Sequence, residues 1–142
     1  MTNDNINLRN MVLNMLLEID DKKQSHIVLQ ETLDSHKDLE KNQRAFVTRL
    51  FRGTIERQIE LDYIIDAFSK TPTGKMKKVI KYILRMSVYQ LKYMDSVPVS
   101  AVCNEAVKLT AKRKFVGLKG FVNGVLRNIA KNIDSVEYPK NE

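Results

Sequence analysis

Apolar residues recur at helical spacing through almost the whole chain, and this periodicity constrains the fold more than any other feature. In the first predicted helix one apolar stripe follows the spacing i, i+3, i+4, i+7, i+8 and i+11, and consists of Leu8, Met11, Val12, Met15, Leu16 and Ile19. Strand-like alternation is absent, and the chain contains only 3 prolines and 5 glycines. The sequence therefore predicts an all-α fold.

The same pattern predicts further helices, which turn signals separate. KTPTGK, with Pro72 and Gly74, is the clearest turn, and it predicts a boundary between two subdomains, at about 1–70 and 75–133. Gly53 predicts a kink or a close contact inside a long helical stretch. After the first helix, the predicted helical stretches cover about 25–35, 42–68, 76–94, 99–113 and 118–133.

Length and composition limit the class of protein. The 142 residues are enough for one domain with a substantial core. The one cysteine, Cys103, cannot form a disulfide within the chain, which indicates a reducing, cytoplasmic setting. No apolar run is long enough to span a membrane, and MTNDNINLRN at the N-terminus lacks the features of a signal peptide. We predict a cytoplasmic protein with no membrane partner, whose tail, 134–142, is a linker rather than a packed element.

Positive charge is concentrated in the middle of the chain. The formal net charge is +7, but residues 42–133 contain 18 Lys and Arg against 6 Asp and Glu. Such a concentration is typical of a protein that binds a polyanion, most often a nucleic acid. A solvated, lysine-rich surface explains the same numbers equally well.

The basic residues align on the polar faces of several predicted helices. At about 100° per residue, one narrow sector opposite the apolar stripe of the helix predicted over 76–94 holds Lys78, Lys81, Arg85 and Lys92, which predicts a basic ridge. Any single ridge has the plainer interpretation that one helix face must be polar, whereas several in one small domain favour phosphate binding. The predicted phosphate contacts are Arg44, Arg52, Lys78, Lys81, Arg85, Arg113, Lys114, Arg127 and Lys131.

No constellation of catalytic residues stands out. His26 and His36 have no Cys or His partner at metal-ligand spacing, so no metal site is predicted. Cys103 lies on the apolar side of its helix, which indicates a buried structural thiol rather than a nucleophile. Neither a GxGxxG nor a P-loop pattern is present, so no nucleotide cofactor is predicted. We predict no catalytic, metal or cofactor-binding residue in this chain.

Two features leave alternatives open. Tyr89 and Tyr93 stand at i and i+4 and offer either stacking faces for unpaired bases or core packing, which we favour.

In GFVNGVLRNIAKN, residues Gly120, Asn123 and Gly124 share the side of the helix away from its apolar stripe. A strip with so few side chains allows either close packing of a second helix, which we favour, or a groove that faces a ligand.

Three segments together resemble a known family. They are FRGTIERQIELDYIIDAF at 51–68, ILRMSVYQLKYMDSVPVSAVCNEAVKL at 83–109 and GFVNGVLRNI at 120–129. They resemble the NusB-type RNA-binding domain, in the version found at the N-terminus of the bacterial 16S ribosomal RNA cytosine-C5 methyltransferases called RsmB, Sun or Fmu. Free-standing NusB antitermination factors share the Asn-Glu-Ala-Val and Phe-Val-Asn-Gly-Val-Leu elements. Arg127 resembles the methyltransferase version, because the free-standing factors usually place an acid there.

The resemblance implies a NusB-like bundle of about seven helices over 1–133, with 134–142 as a linker toward an absent methyltransferase domain. It also implies a non-catalytic module that positions ribosomal RNA for that domain, which would be its partner and would bind S-adenosylmethionine. The catalytic cysteines of the family belong to the absent domain, and Cys103 matches neither of them. The alternatives are a free-standing transcription antitermination factor or a protein-docking module. No cofactor is implied for this chain, and the oligomeric state stays open.

Overall fold

The structure, a computed structural model, describes residues 7–139, which form a bundle of α-helices joined by short turns. No strand occurs within this range. Single turns of 3-10 helix lie at Thr73–Lys75, Val116–Leu118 and Ile133–Ser135. The helices are α1 (Leu8–Asp20), α2 (Ser25–Ser35), α3 (Lys41–Glu56), α4 (Gln58–Phe68), α5 (Lys78–Tyr93), α6 (Val99–Lys112) and α7 (Lys119–Asn132). The prediction of an all-α bundle of about seven helices is confirmed.

Helix α5 lies at the centre of the bundle. It packs against α1, α3, α4, α6 and α7, and every residue from Tyr82 to Gln90 is buried. A helix that is buried on all sides differs from the amphipathic surface helix that its stripe of apolar residues predicts. One continuous core joins residues before and after the turn KTPTGK. The division into two subdomains at that turn stays a prediction.

The long helical stretch predicted over 42–68 is divided in two. Helix α3 ends at Glu56 and α4 begins at Gln58, while Arg57 has φ −105° and ψ 16° between them. The break allows α4 to fold back against α5. No glycine or proline stands at 57, so the sequence lacks a signal for this boundary. The prediction of one continuous stretch is wrong there, and the kink is not at Gly53.

Gly53 makes the close contact that was the other alternative for this position. The aromatic ring of Tyr89 on α5 lies directly over its Cα, and a Cβ atom at Gly53 would overlap with Cζ and the hydroxyl oxygen of that ring. Tyr89 is only 8% exposed. The glycine therefore lets α3 approach α5 closely enough to bury the tyrosine.

Substitution Gly53→Ala is expected to lower the free energy of unfolding by about 1–3 kcal/mol, the usual cost of an overpacked core. Chemical denaturation measures this change. In a Tyr89→Leu background the same substitution should cost clearly less, because the overlapping ring atoms are gone. Gly74→Ala serves as the control, since nothing lies within 4 Å of a Cβ placed there. An equal cost of Gly53→Ala in both backgrounds would contradict the contact as its cause.

The tail packs onto the bundle as far as it is described. Val136 contacts the core, and Glu137 accepts a hydrogen bond from the hydroxyl of Tyr63 at 2.7 Å through its backbone carbonyl. The rings of Tyr63 and Tyr138 have centroids 5.4 Å apart, and Tyr138 also contacts Lys92. The prediction of an unpacked linker is wrong for this part, because Val136 packs against the core and Tyr138 packs against Tyr63 of α4. Residues 140–142 of the predicted linker lie outside the described residues.

Candidate nucleic-acid interface

The predicted basic ridge on α5 does not include Arg85. Its side chain is buried and forms a bidentate pair with Asp62 of α4, from Nε to Oδ1 at 2.7 Å and from Nη2 to Oδ2 at 2.6 Å. The guanidinium also lies over the ring of Tyr82, 5.0 Å from its centroid. The prediction that Arg85 is exposed is wrong, because α4 covers the face of α5 that its own periodicity assigns to solvent. Arg85 is a structural residue.

Lys78 lies at the surface but is paired. Its Nζ is 2.9 Å from Oδ2 of Asp20 and 3.6 Å from Oδ1 of Asp21, at the end of α1. Hydrogen bonds from Lys78 and from the hydroxyl of Tyr82 lower the pKa of Asp20 below its usual value. Lys81, one turn along α5, is half-buried beside the Tyr82 ring. The charge of Lys78 is thus largely balanced within the fold.

A second charged cluster joins α4 to the end of α5. Lys92 is 3.0 Å from Oε2 of Glu60, whose other oxygen accepts a hydrogen bond from the hydroxyl of Tyr93. Burial alone would raise the pKa of Glu60, but the hydrogen bonds from Tyr93 and Lys92 outweigh it and lower that pKa. The rings of Tyr89 and Tyr93 contact each other, with centroids 5.1 Å apart. Of the two alternatives for these tyrosines, core packing holds for the buried Tyr89.

The arginines of α3 lie near the ends of other helices. Nη1 of Arg44 approaches the carbonyl oxygen of Leu33 near the end of α2, at 3.4 Å, and Arg49 donates to the carbonyl of Tyr93 at the end of α5. Cations are favourable there because the last carbonyls of a helix lack partners and carry partial negative charge. Arg52 is exposed and lines the same surface depression as Arg44 and Arg49. This surface combines helix capping with positive charge.

The strongest excess of positive charge lies on the hairpin of α6 and α7, residues 99–132. The hairpin contains 7 Lys and Arg against the single acid Glu105. Between its two helices runs a groove of about 520 Å³, which we call the hairpin groove. Lys131 is exposed one turn beyond Arg127. The lining of the hairpin groove consists of Asn104, Val107, Lys108, Lys119, Gly120, Asn123 and Arg127.

Of the two glycines of α7, Gly120 lines this open groove and Gly124 is exposed one turn further along the helix. Nothing lies within 4 Å of a Cβ placed at Gly120 or at Gly124. The favoured interpretation, close packing of a second helix on this strip, is therefore wrong, and the strip is a groove. Asn123 is partly exposed, and its Oδ1 accepts a hydrogen bond from Nε of Arg127 at 3.0 Å. This bond holds the guanidinium along the rim of the groove.

Gly124→Ala is expected to raise the free energy of unfolding by about 0.5–1 kcal/mol, since alanine is a better helix former and the added methyl group meets no neighbour. Thermal or chemical denaturation measures the change. Gly53→Ala provides the opposite sign in the same experiment. A loss of stability at Gly124 would mean that a helix does pack closely here.

The loop between α6 and α7 contributes the last two predicted contacts. Arg113 turns back to α1, where Nη2 donates to Oδ1 of Asn10 at 3.0 Å and also to Oδ1 of Asn14. Burial lowers the pKa of Arg113 from its usual value. Lys114 is exposed, with φ 70°, at the point where the chain reverses. Arg113 therefore joins the hairpin to α1, and Lys114 projects from it.

Cys103 is fully buried in α6, and desolvation raises the pKa of its thiol. This environment suits a structural thiol, as predicted, since a nucleophile needs a lowered pKa. Among residues 7–139, no group of His, Cys, Asp and Glu is placed so that it could hold a metal ion.

The structure thus brings some of the predicted contacts together and separates others. Lys114, Arg127 and Lys131 lie on the hairpin, whereas Lys78 is paired and Arg85 is buried. The predicted phosphate contacts did not include Asn104, Lys108 and Lys119, which line the hairpin groove. The signal that would have found them is the near absence of acids from 99–132, which a count over the whole middle of the chain obscures.

These features define a class of protein. It is an all-α domain, with no strand over 7–139, whose excess of positive charge is greatest on one helical hairpin. Within the same range, no helix is long and apolar enough to cross a lipid bilayer. A family model described as "NusB family" matches residues 6–131. The chain belongs to the NusB family.

Relatives of two kinds support this assignment. The chain is 32% identical to the probable ribosomal RNA small subunit methyltransferase B of Bacillus subtilis (strain 168), over 93% of this chain and 30% of that protein. It is 34% identical to the transcription antitermination protein NusB of Bacillus velezensis (strain FZB42), over 89% of this chain and 95% of that protein. The chain thus spans less than a third of the length of the methyltransferases that it matches.

A solved structure shows the same fold. The crystal structure of antitermination factors NusB and NusE in complex with double-stranded RNA contains a chain that superposes with a TM-score of 0.78. The match covers 87% of this chain and 93% of that chain, at 22% sequence identity. The NusB-like architecture implied by the sequence motifs is therefore confirmed.

Proposed function

We propose that this chain is a non-catalytic RNA-binding module that positions ribosomal RNA for a separate cytosine-C5 methyltransferase domain. The observation that carries the proposal is the α6–α7 hairpin, with 7 basic residues, 1 acid and an open groove between its helices. Lysine and arginine without acidic neighbours are suited to phosphates, which fix the register of an RNA without reading its sequence. A cytoplasmic location accords with such a partner.

The proposed phosphate contacts divide into a primary and a secondary group. Arg127, Lys131 and Lys114 are primary because they are exposed on the hairpin. The secondary group, away from the groove, consists of Arg44, Arg52, Lys78, Lys81 and Arg113. We retain no phosphate contact for Arg85, whose guanidinium is already committed to Asp62.

The methyltransferase version of this proposal is supported by the identity to the Bacillus subtilis protein over 93% of the chain and by the basic Arg127 in the third segment. In this version the catalytic domain is the partner and supplies S-adenosylmethionine chemistry. The tail, 134–142, would lead toward that domain, and its contacts with Tyr63 and Lys92 would set the direction in which the chain leaves the bundle.

A second candidate function is that of a free-standing antitermination factor, which binds RNA together with a protein partner. Its support is the 34% identity to the Bacillus velezensis NusB protein over 95% of that protein. The related crystal structure contains NusB, NusE and double-stranded RNA in one complex. This candidate uses the same fold and differs in its partner: a ribosomal RNA methyltransferase activity in the full-length protein would exclude it.

Salt dependence of RNA binding tests the shared part of both candidates. Fragments of 16S ribosomal RNA, titrated with the protein in a gel-shift assay, are expected to bind more weakly as salt rises, with a linear fall of log affinity against log salt concentration. An affinity that does not change between low and moderate salt would refute a phosphate-dominated interface. Weak RNA binding at every salt concentration would instead favour a module that mainly docks protein.

A further inference from the structure

A polar cavity of about 540 Å³ lies between α1 and α2, and Lys112 at the end of α6 also lines it. It is separate from the hairpin groove, with no lining residue in common. The residues that matter for its chemistry are Asn10, Asn14, Thr32, Ser35, His36 and Lys112. Its size falls in the range of sites for small organic ligands.

The α1 wall of this cavity presents amide donors. Asn10 and Asn14 stand one turn apart, and each Oδ1 accepts a hydrogen bond from Nη2 of Arg113. Because both carbonyl oxygens are engaged, the two amide NH₂ groups are the part of each side chain that is left to donate. Asn7 has a different task, since its Oδ1 caps α1 by accepting from the backbone N–H of Asn10 at 2.9 Å. Arg113 thus fixes the orientation of a pair of amides.

The α2 wall presents an acceptor. Nδ1 of His36 lies 2.9 Å from the backbone carbonyl oxygen of Thr32. A carbonyl oxygen only accepts, so Nδ1 carries the hydrogen, and Nε2 of the neutral ring is an acceptor. The hydroxyl of Ser35 donates to the carbonyl of Glu31 at 2.9 Å. The cavity therefore has donors on one wall and an acceptor on the other.

This arrangement suits a neutral, planar, polar group that is attached to an anion. Glu18 and Glu31 also line the cavity, which disfavours a ligand made only of phosphates. Lys112 lines the cavity and Arg113 contacts its α1 wall, so both can provide positive charge for a phosphate beside the bound group. A nucleobase has both donors and acceptors on its edge, so amide donors on one wall and an imidazole acceptor on the other can bind the same base. Unpaired bases of RNA are recognised in this way.

We propose that the cavity between α1 and α2 holds one unpaired nucleobase of the bound RNA, whose own phosphate lies against Lys112 and Arg113. This inference rests on the proposed function, and adds base recognition to an interface otherwise built on phosphates. Asn14 and His36 read the edge of the base, and Arg113 positions the asparagines. The hairpin groove supplies affinity, and the cavity supplies the preference for one base at one position.

The test uses a pool of short single-stranded RNAs of random sequence, selected on the full chain and then sequenced. The wild-type protein is expected to enrich one base at a fixed position. Asn14→Ala and His36→Ala should each lose that preference and bind the selected RNA about tenfold more weakly. Their affinity for the unselected pool should stay unchanged, because phosphate contacts dominate it. Asn42→Ala, an exposed asparagine on α3, is the matched control and should keep the preference.

The outcomes separate the two proposals. If neither the wild-type protein nor any variant binds the RNA pool, both the RNA-binding function and the cavity proposal fail. If the pool is bound and neither Asn14→Ala nor His36→Ala changes the selected sequence, only the cavity proposal fails. Saturable binding of free nucleoside monophosphates without any base preference in RNA would also overturn it. The two residues lie in different parts of the fold, Asn14 on α1 and His36 directly after α2, so if one variant unfolds in a thermal melt the other still decides.

Discussion

Replacement of Asp62 by asparagine is expected to lower the free energy of unfolding by about 3 kcal/mol or more, the largest effect on stability that we predict for a single polar substitution. The side chain of Arg85 is only 6% exposed, and Asp62 accepts from both its Nε and its Nη2. With asparagine at 62, the guanidinium keeps at most one acceptor and loses its balancing charge. A buried charge without a partner is far more costly than the ion pair it came from. Chemical denaturation gives the change directly.

Two further variants make this result specific. Asp62→Asn combined with Arg85→Met should regain much of the lost stability, because an apolar side chain replaces the unpaired charge. Lys23→Ala removes the exposed pair with Glu18, whose atoms are 3.2 Å apart, and should have little effect. If Asp62→Asn were as mild as Lys23→Ala, Arg85 would have to reach solvent, and the exposed ridge predicted for α5 would be restored.

The positions of the helices were predictable because their signals are local. Helix α2 spans Ser25–Ser35 in both prediction and structure, and the predicted ends of α5, α6 and α7 differ by no more than two residues. Whether a helix lies at the centre or at the surface of the bundle was not predictable in this way. A periodic apolar stripe identifies one face of a helix that is buried. It does not show that α4 also covers the opposite face of α5. The assignment of Arg85 failed for this reason.

Glycines illustrate the same limit. Gly53 and Gly124 both stand inside helices; the sequence predicted a kink or a close contact at Gly53, and favoured close packing at Gly124. In the structure Tyr89 packs over Gly53, whereas Gly124 faces open space. The difference depends on a residue 36 positions further along the chain, in α5. Local sequence contains no information on such a partner.

The candidate interface was predictable in part. The excess of basic residues is a property of the sequence, and so are Arg127 and Lys131 at i and i+4. Which cations remain available depends on acids from other helices, such as Asp20 for Lys78. Those acids are separated in sequence from their partners by several helices. The amide pair on α1 was also hidden, since it becomes a site only through Arg113, about 100 residues away.

Charge reversal on the hairpin is expected to have the largest effect on RNA binding. Arg127→Glu with Lys131→Glu should lower the affinity for 16S ribosomal RNA fragments by about 100-fold at moderate salt, because two phosphate contacts become repulsive and each tenfold corresponds to about 1.4 kcal/mol. Fluorescence anisotropy over a range of salt concentrations measures the affinity. The dependence of log affinity on log salt should become flatter by about 0.7 for each contact removed from a single strand.

The control variant must change the net charge equally without touching the hairpin. Lys70→Glu with Lys75→Glu does so, since both lysines are exposed near the turn between α4 and α5. We expect only a small loss of affinity for this variant, because exposed charges more than about 10 Å apart are largely screened at moderate salt. Equal losses for the two double variants would mean that net charge alone attracts the RNA. In that case the hairpin groove would have no special part in binding, and the interface would have to be sought on another face of the bundle.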